Sequence, residues 1–191
     1  MSGPAQTGHG PPVLRIDFCR GCTTVNENSQ ALLELTEDGM DGMEGKHLTF
    51  RVEQGRYGIG IGYVTEIIGL QDITPVPHTH PYVKGIVNLR GTIVPVVDMR
   101  LRFGLPESAY TDRTCIVVLS KDDMSIGLVV DEVLEVAAIG EESTKPPPQH
   151  GGTRKNHFVK GIGVTADGVK QLLDINRIFE LEEAQEAAGT G

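Results

Sequence analysis

Lys84–Phe103 reads KGIVNLRGTIVPVVDMRLRF and Lys160–Phe179 reads KGIGVTADGVKQLLDINRIF, and the two stretches align without a gap. Lys, Gly, Ile, Asp and Phe recur at the same five places, and apolar positions coincide as well, Ile93 with Val169 and Val97 with Leu173. A second echo lies upstream of each copy. Gly58–Ile67 (GIGIGYVTEI) reads like Gly127–Val136 (GLVVDEVLEV). Two matches in the same order describe one folding unit used twice. Two copies make a duplicated domain, because a solenoid needs three or more repeats to bury its faces.

Outward from these blocks the chain is a series of short β-type runs. Leu48–Val52 alternates, Gln54-Gly55-Arg56 turns, and Tyr57–Ile61 and Val64–Ile68 follow. Pro75 and Pro77 mark a loop, since proline cannot donate to a central ladder. Ile86–Leu89 and Thr92–Val97 flank Arg90-Gly91, whose length and glycine specify a tight hairpin. Met99–Phe103 is expected to be a short helical turn. The second unit repeats the order: Cys115–Leu119, a Lys121-Asp122-Asp123 turn, Ser125–Val130 and Glu132–Ala137. A long loop over 140–157 then leads to Phe158–Thr165, an Ala166-Asp167-Gly168 turn and Val169–Leu173. That loop holds the seven extra residues of the second copy, whose blocks are offset by 76 rather than 69. Ile175–Ala187 has the spacing of a short C-terminal helix. Strands of this length with glycine-rich turns fit two small closed barrels, closure being one way to remove aggregation-prone edges.

Charge divides the chain differently. Residues 1–45 carry seven acids against two bases, residues 180–191 carry four acids and no base, and 46–179 hold 15 of each sign. The whole net charge of −9 belongs to the two ends. A neutral body gives a phosphate backbone no basic face, so nucleic acid is not an expected partner. The first 45 residues form an acidic arm that is expected to be largely disordered, being too polar to offset its ordering entropy. Residues 183–191 form an acidic tail. Apolar residues make up 39% of the 191 with no Trp, so Val, Ile and Leu must fill the core. No stretch approaches the roughly 18 apolar residues of a membrane helix, and no basic-then-apolar leader opens the chain, so a soluble cytoplasmic protein without membrane insertion is expected. Three cysteines do not make a disulfide framework.

The residues capable of chemistry are sparse. Cys19-Arg20-Gly21-Cys22 has zinc-ligand spacing but no second pair at the usual distance. Cys115 begins a strand and reads as a small core hydrophobe. His78 and His80 share one side of an extended segment, a spacing metals use, but no third ligand is near in sequence. Gly58, Gly60 and Gly62 fail as a dinucleotide loop because no helix follows. No nucleophile stands beside a base. The expectation is a non-enzyme without cofactor or metal. The alternative is a small-ligand or metal-binding barrel using the His78/His80 loop. Arg90 at the hairpin tip, with Asp98 on the return strand, is the polar residue of greatest interest, because a guanidinium offers five fixed donors that can pin a turn through backbone carbonyls.

Tyr57-Gly58-Ile59, then Val64–Ile68, then Val83–Gly91 (VKGIVNLRG) and Ile93–Arg100 (IVPVVDMR) resemble the CheW family of bacterial chemotaxis coupling proteins, and Gly127–Asp131 with Gly161-Ile162-Gly163 agree in the second half. The resemblance spans about residues 47–182. It implies two five-stranded Src homology 3-like barrels sharing an apolar core, intertwined and spanning roughly 46–110 and 111–182 within a domain over 46–182. It also implies an adaptor in a two-component signalling array. The partners implied are the regulatory domain of the histidine kinase CheA, the cytoplasmic tip of a methyl-accepting chemoreceptor and other CheW copies, with recruitment to membrane-bound arrays. By position, Ile61, Val64, Glu66 and Arg90 correspond to partner contacts, and Cys115 and Ile116 to the groove that takes a receptor helix. Asn88, Gly91 and Asp98 correspond to structural positions. Gly60 and Gly62 stand where the family carries larger residues, and the acidic arm exceeds the usual family start.

Overall fold

The structure, a computed structural model, describes residues 15–16, 44–147 and 157–180. Among these residues twelve strands form two sheets. They are β1 (Arg15–Ile16), β2 (Lys46–Val52), β3 (Gly55–Gly60), β4 (Val64–Gly69), β5 (Val83–Leu89), β6 (Thr92–Asp98), β7 (Cys115–Lys121), β8 (Met124–Val130), β9 (Glu132–Ala138), β10 (Thr144–Lys145), β11 (Val159–Thr165) and β12 (Gly168–Leu173). One sheet runs β1-β4-β7-β8-β6-β5 and the other β10-β11-β12-β3-β2-β9. Each therefore has five long strands and one two-residue strand at an end. The all-β architecture in two sheets is as the duplication requires.

The two units, divided near residue 110, share their sheets. Hairpin β2–β3 of the first unit lies in the sheet of the second, and hairpin β7–β8 of the second lies in the sheet of the first. The two units have exchanged hairpins. Matched registers make the exchange symmetric: β6 runs parallel to β8 with Val96 opposite Gly127, and β12 runs parallel to β3 with Leu172 opposite Gly58. These two pairs are related by the same offsets of 76 and 69 that relate the sequence blocks. Neither half holds a complete sheet of its own, so the halves are expected to fold together.

Turn chemistry agrees with the sequence. Arg90 and Gly91 both have positive φ, +50° and +90°, as a two-residue hairpin twisted to match its strands requires. The Asn88 side-chain oxygen accepts the Gly91 amide at 2.8 Å and fixes that turn. After β6 the chain enters helix α1 (Met99–Arg102), and after β12 helix α2 (Ile175–Phe179). Each has an aspartate at its N-cap, Asp98 accepting from the Arg100 and Leu101 amides and Asp174 from the Asn176 amide. This explains the shared aspartate of the two blocks, since a carboxylate there satisfies amides that the helix leaves orphaned. The helix expected over Ile175–Ala187 ends at Phe179, and residues 181–191 lie outside the described residues. Of the acidic arm, only Arg15–Ile16 and residues 44–45 are described, the former as a strand.

A shared core lies between the sheets. It takes Leu48, Phe50 and Ile59 from the exchanged hairpin of one unit, Val117, Leu119 and Leu128 from that of the other, and Ile178 from α2. Arg102 of α1 is buried in this region, its guanidinium 4.4 Å from the Tyr82 ring centre and 5.0 Å from that of Phe158. It donates to the carbonyls of Arg177 and Glu180, so an arginine of one unit holds the C-terminal end of the other unit's helix.

The first sheet encloses a second apolar cluster that includes Val94, Ile116 and Val118. Under the two offsets these three positions become Lys170, His47 and Thr49 in the second sheet, and all three are buried there too. One interior is aliphatic and its twin is polar. Burial pushes the His47 imidazole below its ordinary 6.5; the hydrogen bond to the Gly45 carbonyl opposes this and the Lys160 charge adds to it. The unfolded chain therefore binds the proton better than the folded one. This contribution to stability is complete above about pH 6.5 and is lost as pH falls through and below it. The urea midpoint of the wild type is expected to drop between pH 7.5 and 5.5, and His47→Ile, which copies the matched Ile116, should flatten that drop. An unchanged slope would refute this role.

Candidate functional site

The site is built on a bulge in β4. Val64 pairs with Leu119 and Glu66 with Val118, leaving Thr65 as the extra residue, whose hydroxyl donates to the Val118 carbonyl at 3.2 Å. The bulge recurs in β9, where Val133 pairs with Phe50, Glu135 with Thr49, and Leu134 is extra. Bulges re-aim side chains, and here each aims a glutamate at a cation. Glu66 meets the guanidinium of Arg90, and Glu135 meets the ammonium of Lys170 at 2.6 Å. In its sheet, β4 stands toward one end and the β5–β6 hairpin at the other. The Arg90–Glu66 pair thus closes the sheet on itself across its seam.

The ion pair with Glu66 adds a reach across the sheet to the expected pinning of the turn by Arg90. Its guanidinium reaches across to a carboxylate, while Asn88 organises the turn. Asp98, at the end of the return strand, is buried: one carboxylate oxygen caps α1 and the other accepts the Tyr110 hydroxyl at 2.9 Å. That bond and burial push the Tyr110 phenol above its ordinary range, burial contributing most.

Glu66 and Arg90 are accessible, Arg90 with about half of its side chain in solvent (52%). The other residues placed at partner contacts are not. Ile61, Val64, Cys115 and Ile116 are each exposed by 3% or less. Cys115 faces the shared core and Ile116 the interior of the first sheet, so β7 is covered on both faces. A side chain in that position sets the shape of a surface without touching what binds there.

The paired cations differ in burial. Lys170 is only 1% exposed, whereas Glu135 keeps 28% of its side chain accessible. Removing the carboxylate leaves a buried ammonium without its charged partner, at the position whose twin is the aliphatic Val94. Glu135→Ala is expected to cost about 3 kcal/mol, the low end of the range for breaking a buried pair because Glu135 is partly solvated. Lys170→Met in the same chain should recover most of it. A loss below about 1 kcal/mol in urea unfolding would mean that Lys170 finds other compensation. A further pair ties the units together: Arg100 of α1 makes a two-pronged contact with Asp131 at 2.8 and 2.6 Å, and the Glu53 amide donates to the same carboxylate at 2.6 Å. Burial pushes the Asp131 carboxyl up, but the Arg100 guanidinium and the Glu53 amide outweigh it and hold it below the usual range.

Sequence reading did not single out Glu135, Lys170 or Asp131 as a charged framework. The alignment of Lys170 with Val94 was the available signal for the first pair. It also treated Ile93 and Val169 as matched apolar positions without noting that both are exposed, at 57% and 58%. Their parity was readable: Ile93 shares a strand face with Pro95, and Val169 with Gln171, both opposite the buried Val94 and Lys170. Each hairpin thus presents one large aliphatic side chain to solvent at an equivalent place.

Among the described residues, no metal-ligating cluster forms around His78 and His80. His80 stacks on Tyr82 with ring centres 4.8 Å apart, and among the described residues no group of three or more His, Cys, Asp or Glu side chains is placed to hold an ion. Cys19 and Cys22 lie outside the described residues. No helix among the described residues is long and apolar enough to cross a membrane.

Comparison with known proteins agrees with this geometry. The CheW-like domain profile matches residues 46–183. The chain is 33% identical over 136 residues to the chemotaxis protein CheW of Klebsiella aerogenes, covering 71% of this chain and 82% of that protein. It is 31% identical over 142 residues to the chemotaxis protein CheW of Bacillus subtilis, covering 74% and 91%. The crystal structure of the scaffolding protein TtCheW from Thermoanaerobacter tengcongensis superposes with a TM-score of 0.67 at 33% identity, over 73% of this chain and 96% of that one. With its duplicated, hairpin-exchanged sheets and its bulge-aimed glutamates, the chain belongs to the CheW-like domain family of chemotaxis scaffold proteins.

Proposed function

We propose that this chain is a non-catalytic adaptor that joins the cytoplasmic tip of a methyl-accepting chemoreceptor to the regulatory domain of the histidine kinase CheA, in the cytoplasm beneath membrane-bound arrays. The observation that carries the reading is the pseudo-twofold pairing of accessible features. Each unit offers a hairpin with an exposed aliphatic residue, Ile93 or Val169, and a bulge-aimed glutamate, Glu66 or Glu135. An adaptor must touch two neighbours at once, and two equivalent faces on one stable body supply that geometry. Each contact is modest alone and effective through multivalency.

Within this reading Glu66 and Arg90 meet the partner directly. Ile61 and Val64 hold the bulge that aims Glu66, and Cys115 and Ile116 shape the strand beside it. Contacts with further copies of the chain would use the same faces. Co-purification with a CheA regulatory domain and a receptor hairpin tests the assignment. Retention of both is expected, and retention of neither refutes it.

A further inference from the structure

The arm that distinguishes this sequence contributes one described element, and that element has a definite place. β1 runs parallel to β4, with Arg15 opposite Glu66 and Ile16 opposite Ile67. Without β1, β4 would be the end strand of its sheet. Its matched strand β9 ends the other sheet with no further strand beside it among the described residues. An end strand presents unpaired amides and carbonyls that any extended segment can use. The sequence around β1, Val13-Leu14-Arg15-Ile16-Asp17-Phe18, is an apolar-rich run set between Pro11-Pro12 and polar, acidic sequence. It is the part of the arm suited to strand addition.

We propose that the outer edge of β4 is a strand-docking surface, that the arm occupies it in cis, and that the arm thereby competes with proteins approaching Glu66. The docking half stands on the pairing alone; the competition half rests on the proposed function. The main-chain bonds of an added strand are indifferent to side-chain identity, so the same edge accepts a strand from the chain itself or from a partner. Because β1 belongs to the same chain as β4, its pairing is intramolecular and does not depend on protein concentration. A two-residue pairing is weak, so the arm reduces apparent partner affinity by a modest factor set by the fraction of open edge.

The test uses the full chain with Arg15→Pro and Ile16→Pro together, since proline cannot donate to a ladder. Hydrogen exchange at the Val64–Gly69 amides that point away from β7 is expected to speed up at least about threefold, with β8 amides unchanged as an internal control. Affinity for the CheA regulatory domain is expected to rise by a factor of roughly 3 to 10. Unchanged exchange in β4 overturns the docking. Faster exchange with unchanged affinity overturns the competition. If the unaltered chain and the variant both fail to bind the kinase domain while β4 exchange still differs, docking stands and the adaptor reading falls.

Discussion

Gly85→Ala is expected to lower stability by about 4 kcal/mol, while Gly161→Ala at the matched position of the second unit costs far less. Gly85 sits at a register shift in β5 with φ of +144°, a conformation that side chains other than glycine rarely adopt. The close approach matters more. Thr74 and Ile86 exchange backbone hydrogen bonds of 2.9 and 2.8 Å, which presses the Thr74 carbonyl against Gly85. A methyl group on Gly85 would lie 2.0 Å from the Thr74 oxygen and 2.7 Å from its carbonyl carbon. These are backbone atoms and cannot rotate away. Strain of about 1–3 kcal/mol for the backbone conformation adds to about 1–3 kcal/mol for overpacking. At Gly161 the first atom met is the Thr144 methyl at 2.8 Å, and the Lys145 carbonyl oxygen is 3.4 Å away. That methyl belongs to a side chain that can shift. Against a typical stability of 5–15 kcal/mol, the Gly85 change should lower the melting temperature by roughly 8 to 16 °C. Equal losses at the two glycines would show that the Thr74 contact is not what sets the cost.

The same comparison shows what the sequence makes legible. Aligned blocks identify which strands are equivalent, and turn residues such as Arg90-Gly91 locate the hairpins, because both are local properties. Hairpin exchange is a non-local property. The parallel pairings of β6 with β8 and of β12 with β3 leave no mark on either strand that alignment can read. Burial on both faces sets Cys115 and Ile116 apart from the accessible Glu66 and Arg90. Cys115-Ile116-Val117-Val118-Leu119 is an unbroken apolar run, the pattern of a strand covered on two sides. Glu66 was found through family position, whereas its twin Glu135 was visible only as the aligned letter of the second block. Nothing local marks Lys170 as buried, since a lysine is usually exposed.

Arg90→Ala is expected to leave the fold nearly intact and to weaken kinase-domain binding by at least about tenfold. The two parts follow from different numbers. With half of the Arg90 side chain in solvent, its pair with Glu66 lies in the range of partly exposed bridges, where the contribution to stability is about 1 kcal/mol or less. The Arg90 backbone is already in a left-handed conformation at φ +50°, a cost that alanine shares, so the turn gains nothing from the change. Under the proposed adaptor role, binding depends instead on where Glu66 points. Only 16% of its side chain is exposed, and the Arg90 guanidinium holds it across the seam. Without that cation, the carboxylate is free to rotate and the hairpin carrying Ile93 loses its tether to β4. A tenfold loss corresponds to about 1.4 kcal/mol, the size of a charge-assisted hydrogen bond left unmade when a partner docks. Exchanging the charges, Arg90→Glu with Glu66→Arg, separates the two roles. If Arg90 only closes the seam, the exchanged pair restores binding. If Arg90 and Glu66 also touch the partner, the exchanged chain melts like the wild type and still fails to bind, because the partner then meets each charge with the wrong sign. Wild-type affinity in Arg90→Ala itself would remove this hairpin from the interface.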